Sequence, residues 1–157
     1  MFNYCCIIAD YFKLSAEDKR LLLYAAYLHD LGKINVSKET LISSKKLSQD
    51  QWEELKKHPQ DSADILKQIK GFEKVVPLVL EHHEKYDGTG YPSGLKCDEI
   101  SYLARILAVV DSFDAMTNQR PYQETKTFDE AFEEIERCKG THFDPVIVDK
   151  FIEALKS

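Results

Sequence analysis

The chain has 157 residues and a mass of 18.1 kDa, of which 43% are hydrophobic and 31% are charged. This length and balance predict a single domain over residues 1–157 that buries an ordinary core without needing disulfides. The net charge of −6 excludes a broad face for a nucleic-acid polymer, which would require a surplus of lysine and arginine, but it allows a small anionic ligand.

The sequence also indicates the compartment. No apolar run is long enough to cross a membrane, and no signal-peptide pattern opens the chain. The four cysteines lack the C-x-x-C spacing of metal or redox pairs, which favours a reducing environment. We therefore expect a cytoplasmic protein.

Helical periodicity runs through the first half of the chain. Apolar residues 2–12 have no capping residue before them, which predicts a first helix truncated at its start. Ser15 is an N-cap residue followed by an acidic first turn, and it opens an apolar helix that ends at His29 and Asp30. The capping box at 48–51 starts a further helix.

The second half is also helical. The proline after His58 disfavours helical geometry at that histidine, so a helix boundary is expected there. Residues 73–84 predict an apolar helix that ends in a histidine pair, and the three glycines and one proline of 87–94 predict an ordered loop. The longest apolar helix is predicted at 101–118, and two more capping signals start the last two helices. We predict a compact all-α bundle of about seven helices.

Four of the five histidines fall into clusters that also contain carboxylates. Imidazole suits Fe, Zn, Cu and Ni, whereas carboxylates suit harder ions such as Mn, so the mixture indicates a transition-metal site. A single buried histidine is more often a hydrogen-bonded core residue than a ligand, but four clustered histidines predict metal binding. The pattern predicts a metal-dependent hydrolase of a phosphate ester. The candidate ligands are His29, Asp30, His58, His82, His83 and Asp111.

Three motifs carry a family resemblance: HDLGK at 29–33, HP at 58–59 and HHEKYDGTGYP at 82–92. In this order they resemble the HD-GYP family, within the HD phosphohydrolase superfamily. The resemblance implies a helical bundle that holds two, sometimes three, iron or manganese ions. It also implies hydrolysis of cyclic di-GMP, a bacterial signalling molecule, to pGpG and/or GMP.

The resemblance implies a role for each ligand. One metal would be held by His29, Asp30 and Asp111, and Asp30 would bridge to a second metal held by His58, His82 and His83. A hydroxide bridging the two metals is the implied nucleophile.

Three further side chains are implied to contact the substrate. Lys33, one turn after Asp30 and counted with it as catalytic, would meet a phosphate oxygen, and Arg120 would grip two such oxygens. Asp114 would contact the substrate or orient a metal-bound water. Each has an alternative: Lys33 as a solvated helix-end cation, Asp114 as a cap or surface acid, and Arg120 as a partner of Glu124.

Other residues of the motifs have less specific expectations. Glu84 is expected to lie behind the ligands or to be exposed rather than to bind metal, and His142, which has no partner cluster, is expected to be structural. Tyr91 and Pro92 either rigidify the loop beside the metals or, as the resemblance implies, present a docking surface for GGDEF-domain proteins.

The chain departs from the family pattern at its start. HD proteins usually supply another histidine from the preceding helix, and that position falls before Met1. We therefore expect either a fragment or a shortened domain. The alternative to an active enzyme is a catalytically impaired HD-GYP signalling module that binds the dinucleotide or a GGDEF partner, and a third possibility is hydrolysis of a related cyclic dinucleotide. Apolar surface on the first helix favours a homodimer.

Overall fold

A computed structural model describes residues 1–43, 45–118 and 125–156. In these ranges the chain forms nine α-helices, together with two 3-10 helices at Leu31–Asn35 and Cys97–Glu99. None of the helices in these ranges is both long enough and apolar enough to cross a membrane. The α-helices are α1 (Phe2–Tyr11), α2 (Ala16–Leu28), α3 (Lys38–Leu41), α4 (Gln49–Leu55), α5 (His58–Leu66), α6 (Val76–Glu81), α7 (Tyr102–Thr117), α8 (Phe128–Arg137) and α9 (Pro145–Lys156).

The all-α prediction is confirmed. The described part of the chain contains no β-strand, and Lys139 and Phe143 form an isolated β-bridge. The predicted number of about seven helices is close to the nine observed, of which α3 is a single turn of four residues.

The local start signals are confirmed where the structure describes them. The Ser15 side chain accepts a hydrogen bond from the backbone of Asp18 at 3.0 Å, and the predicted capping box forms at Ser48. Helix α5 begins at His58 and carries Pro59 in its first turn, where proline costs no hydrogen bond. Side-chain caps and proline act within one turn, which is why the sequence alone predicts them.

One predicted helix is wrong at both ends. The sequence predicted a helix over 73–84, whereas α6 covers only Val76–Glu81. Pro77 lies in its first turn, since an interior proline would remove a hydrogen bond and clash with the preceding turn. His82 and His83 therefore follow the helix directly instead of forming its last turn.

The core is built around α7, which packs against α1, α2, α6, α8 and α9. Seven of its sixteen residues are buried, among them Phe113, which is completely covered. The Phe113 ring lies 5.1–5.2 Å from the rings of Tyr4, Phe132 and Phe151, distances typical of favourable aromatic pairs. Helix α5 packs against the first 3-10 helix and α6, and this side of the bundle carries the histidines.

Candidate metal centre

Three buried histidines are anchored in the same way. The Nδ1 atoms of His29, His58 and His82 lie 3.0, 2.7 and 2.7 Å from the carbonyl oxygens of the residues three positions earlier. Because a carbonyl oxygen only accepts, each ring donates its Nδ1 proton, so the neutral form of each ring carries its lone pair on Nε2. Each ring therefore has the tautomer and orientation that suit a ligand binding through Nε2.

The free Nε2 atoms converge on two carboxylates. Nε2 of His58 lies 3.4 Å from Nε2 of His82 and 3.3 Å from Oδ1 of Asp30. Nε2 of His29 lies 3.4 Å from Oδ2 of Asp30 and 3.6 Å from Oδ1 of Asp111. The Asp30 carboxylate thus faces His29, which directly follows α2, and His58 of α5, one oxygen toward each.

The donor atoms form two overlapping groups. The His58, His82 and His83 atoms lie within 4.8 Å of one another, and so do those of His29, Asp30 and His82. Each group could hold a metal ion. The first group offers three imidazole nitrogens and the second offers two with one carboxylate oxygen, and both sets suit a transition metal. His82 belongs to both groups, whereas the resemblance assigned it to one metal. The donor set therefore fits a pair of neighbouring ions.

Electrostatic coupling ties His29 to its two carboxylates. Burial alone would lower the pKa of His29, but hydrogen bonds and charge from Asp111 and Asp30 raise it to about 10. In the same way, burial would raise the pKa of Asp30 and of Asp111, but His29 holds both below their ordinary value. The pocket thus stabilises a cation between the two carboxylates, which is the charge that a bound metal would supply.

The other imidazoles are held neutral. Burial, followed by repulsion from His58, lowers the pKa of His83 to about 3. Burial is also the main cause that lowers the pKa of His58 and, more strongly, that of His82. Since only a deprotonated ring ligates a metal, these three side chains are ready to bind at neutral pH.

A close contact between the first 3-10 helix and α5 brings His29 and His58 together. The Gly32 N–H donates to Ser62 Oγ at 2.7 Å, and the Ser62 hydroxyl donates to the His29 carbonyl at 2.8 Å. A Cβ at Gly32 would lie 2.2 Å from the His58 carbonyl oxygen, so a larger residue would clash with backbone. The glycine of the HDLGK motif therefore has a packing role.

Glu84 fixes the loop that follows the histidines. Its carboxylate, only 4% exposed, accepts hydrogen bonds from the backbone of Ser93 at 2.6 Å and of Leu95 at 3.0 Å. Of the two expectations for Glu84, the structure supports the buried position behind the ligands.

The loop places Tyr91 beside the histidines and leaves its tip in solvent. The Tyr91 ring centroid lies 5.0 Å from that of His83, and the following Pro92 is exposed. Tyr91 thus has the position expected of a residue that rigidifies the site, and Pro92 has the exposure that a docking surface requires.

The predicted substrate contacts have different surroundings. The Lys33 ammonium donates to Asp30 Oδ2 at 2.7 Å, so it lies at the cluster. The Asp114 carboxylate accepts from the Asn118 side chain at 2.8 Å and pairs with the amino group of Met1. Arg120 lies outside the described residues, together with its alternative partner Glu124.

A cavity of about 520 Å³ adjoins the cluster, with His82 and His83 in its wall. Sequence reasoning missed Trp52 and Lys56, which also line it. It expected His142 to be structural, and the structure places that residue in the wall of the same cavity. The i,i+4 spacing of Trp52 and Lys56 was the one available signal, because it puts both on one helix face.

The sequence profile of the HD domain family matches residues 1–147. A cyclic di-GMP phosphodiesterase response regulator, RpfG of Xanthomonas campestris pv. campestris, is 40% identical over 93% of this chain and 39% of its own length. A cyclic di-GMP phosphodiesterase of Thermotoga maritima is 39% identical over 85% of this chain and 37% of its own length. The 3'3'-cGAMP-specific phosphodiesterase 3 of Vibrio cholerae is 37% identical over 90% of this chain and 31% of its own length. The chain thus spans less than half the length of these relatives.

Two solved structures share the fold. A cyclic GMP-AMP-specific phosphodiesterase of V. cholerae, V-cGAP3, superposes with a TM-score of 0.74 at 20% identity, over 98% of this chain and 43% of that one. An HDG"Y"P protein of Bdellovibrio bacteriovorus superposes with a TM-score of 0.79 at 21% identity, over 99% of this chain and 50% of that one. At these identities the likeness establishes the helical architecture.

Proposed function

Because the chain belongs to the HD-GYP family of HD domains, we propose that residues 1–157 form one such domain and that it hydrolyses a cyclic dinucleotide, cyclic di-GMP first. The observation that carries the proposal is the convergence of His29, His58 and His82 on Asp30 through their free Nε2 atoms. The relatives named as cyclic di-GMP and 3'3'-cGAMP phosphodiesterases support the substrate class.

We assign the ligands to two iron or manganese ions. One ion would be held by His29, Asp30 and Asp111, and the other by His58, His82 and His83 with Asp30 as a further ligand. Such ions supply Lewis-acid stabilisation of the phosphoryl oxygens and an acidified water as nucleophile. The low pKa of the buried imidazoles keeps these side chains available as ligands.

The protein's own cations complete the reaction site. The Lys33 ammonium, 2.7 Å from Asp30 Oδ2, lies where it can turn toward a phosphate oxygen beside the cluster. We propose substrate contacts for Asp114 and Arg120 as well, on the motif match alone. The products proposed are pGpG and/or GMP.

Turnover of cyclic di-GMP by protein loaded with manganese or iron tests the proposal. We expect wild-type protein to produce the linear dinucleotide and Asp30→Asn to lose metal and at least about 100-fold in kcat. Asp64→Asn is the matched control, because Asp64 is exposed and, among the residues that the structure describes, its side chain pairs with its helix neighbours Lys67 and Gln60 alone. Fully metal-loaded wild-type protein without turnover, but with dinucleotide binding, would instead support the signalling module.

Partners and location are also proposals. The exposed Pro92 next to Tyr91 supports a loop that contacts a GGDEF-domain protein, and the exposed Phe2 and Ile7 of α1 support a homodimer. We propose a cytoplasmic setting. Sedimentation of the protein alone and with a GGDEF domain tests both contacts.

A further inference from the structure

The cavity beside the histidines contains groups that phosphodiester hydrolysis does not require. Trp52 of α4 and Lys56, which directly follows α4, enter it from one segment of the chain, and Lys85 and His142 from two others. Its volume of about 520 Å³ lies within the range of about 300–1,000 Å³ that is typical of sites for small molecules. The ammonium groups of Lys56 and Lys85 can pair with negative charge and the Trp52 indole can stack on a ring, so the cavity suits a ligand that is both aromatic and anionic.

Trp52 does not serve to attach its helix to the core. The side chain is 42% exposed, and no residue of α4 is buried. Besides the large cavity, Trp52 lines a second depression formed with residues 46–49, so protein atoms leave much of the indole uncovered. A tryptophan usually buries a large area, and one left open in a cavity offers a flat apolar face to a ligand.

Lys56 lies one turn after Trp52 on the same helix face. Its ammonium is 5.8 Å from the centroid of the indole and 3.2 Å from a Glu53 carboxylate oxygen. The distance to the indole is near the limit of about 6 Å for an ammonium–ring contact. The ion pair with Glu53 is accessible to solvent and therefore contributes little to stability. The ammonium is therefore free to turn toward a ligand that lies against the indole.

We propose that the Trp52 indole stacks on a purine base of the substrate and that Lys56 donates hydrogen bonds to that base, which selects guanine. This inference rests on the proposed function, since His82 and His83, proposed there as metal ligands, lie in the wall of the same cavity and would place the reacting phosphate beside it. Every base has a face that stacks on an indole, so Trp52 supplies affinity without choosing the base.

Lys56 is the residue that distinguishes guanine from adenine. The edge of guanine presents two acceptors, O6 and N7, whereas adenine presents the N7 acceptor beside an N6 donor. An ammonium only donates, so it satisfies guanine and meets a competing donor on adenine. The cavity therefore favours guanine-containing cyclic dinucleotides over cyclic di-AMP.

The chain contains one tryptophan, so its fluorescence reports on position 52 alone. Metal-loaded protein titrated with a phosphorothioate analogue of cyclic di-GMP, which resists hydrolysis, should show saturable quenching beyond that of free N-acetyltryptophanamide. Trp52→Phe should keep most of the affinity and Trp52→Ala should raise KM about 10-fold. Unchanged fluorescence at saturating ligand would overturn the stacking role, even if wild-type protein turns over cyclic di-GMP normally.

The guanine preference is tested with Lys56→Gln against Lys67→Gln. Both lysines pair with a carboxylate three residues earlier on a helix, but Lys67 lies outside the cavity wall. Glutamine both donates and accepts, as adenine requires. Lys56→Gln should lower the ratio of kcat/KM for cyclic di-GMP over cyclic di-AMP about 10-fold, and Lys67→Gln should leave it unchanged. Equal ratios in the two variants would overturn the selection role.

Absence of turnover in wild-type protein would overturn the proposed function instead, and the fluorescence titration would still decide the stacking role.

Discussion

At the scale of single residues, the site depends on groups that fix the imidazoles before any ligand binds. His29, His58 and His82 each bond the carbonyl three residues earlier, which sets both tautomer and ring direction. Ser62 adds a second constraint, because its buried hydroxyl joins the backbone of His29 to that of Gly32. Such preorganisation reduces the side-chain entropy that metal binding would otherwise cost.

Gly32→Ala tests whether this close packing holds the two histidine motifs together. The added Cβ would lie 2.2 Å from the His58 carbonyl oxygen and 2.6 Å from the Ser62 nitrogen, so α5 must move. We expect a loss of about 2–3 kcal/mol in the free energy of unfolding and a lower manganese content. Denaturant unfolding and metal analysis measure both quantities.

Gly71→Ala is the matched control for that substitution. Gly71 has a φ of 97° but no neighbour within 4 Å of the added Cβ, so it should lose only about 1–2 kcal/mol through backbone strain and keep its metal. If both variants retain the metal content of wild-type protein, the packing at Gly32 does not position the ligands.

At the scale of the elements, one buried carboxylate orders the loop over 87–95. In Glu84→Gln an amide N–H₂ replaces one acceptor oxygen, so the backbone N–H of Ser93 or Leu95 loses its partner. We expect a loss of about 1–3 kcal/mol in stability and faster hydrogen exchange at these two amides. The exposed Glu99 accepts from the Lys96 backbone through one oxygen, which a glutamine carbonyl can replace, so Glu99→Gln should cost far less. Equal losses in the two variants would show that burial of Glu84 is unimportant.

Helices α3 and α4 are joined by Glu54, and this contact should depend on pH. The Glu54 carboxylate accepts from Thr40 Oγ1 at 2.6 Å and from the Ser37 backbone at 2.9 Å, and these bonds lower its pKa from the ordinary 4.5. A lowered folded-state pKa stabilises the fold fully above pH 4.5, and the contribution disappears as the pH falls through the lower value. Glu54→Gln should therefore be less stable than wild-type protein at pH 7, with a difference that shrinks in acid.

The neighbouring Glu53→Gln provides the control for that profile. Within the described ranges Glu53 accepts from Gln49 and Lys56 alone, both on the helix surface, so its loss should change the denaturation midpoint little at either pH. A difference between Glu54→Gln and wild-type protein that stays constant from pH 7 into acid would contradict the role of the Glu54 charge.

At the scale of the whole molecule, the sequence predicts what depends on neighbours along the chain. The caps at Ser15 and Ser48 and the helix boundary at His58 follow from local rules, and with them the all-α class. The motif spacing also identified the six side chains that converge. The position of His142 beside Lys85 and the sharing of His82 between two donor groups could not be predicted. They depend on how distant segments pack, which periodicity does not encode.

Metal binding should stabilise the whole fold, because the donor groups come from four separated segments of the chain. An ion that binds only the folded state adds about 2.7 kcal/mol at a concentration 100-fold above its Kd. For a chain of 157 residues we therefore expect the Tm of manganese-loaded protein to exceed that of chelator-treated protein by about 5–10 °C. Asp30→Asn should abolish most of the increase and Asp64→Asn should keep it, since Asp30 faces His29 and His58 whereas Asp64 pairs with Lys67 on the helix surface. Calorimetric scans at fixed protein concentration measure the shift. An equal Tm with and without manganese, or an undiminished shift in Asp30→Asn, would mean that the converging imidazoles do not hold the ion.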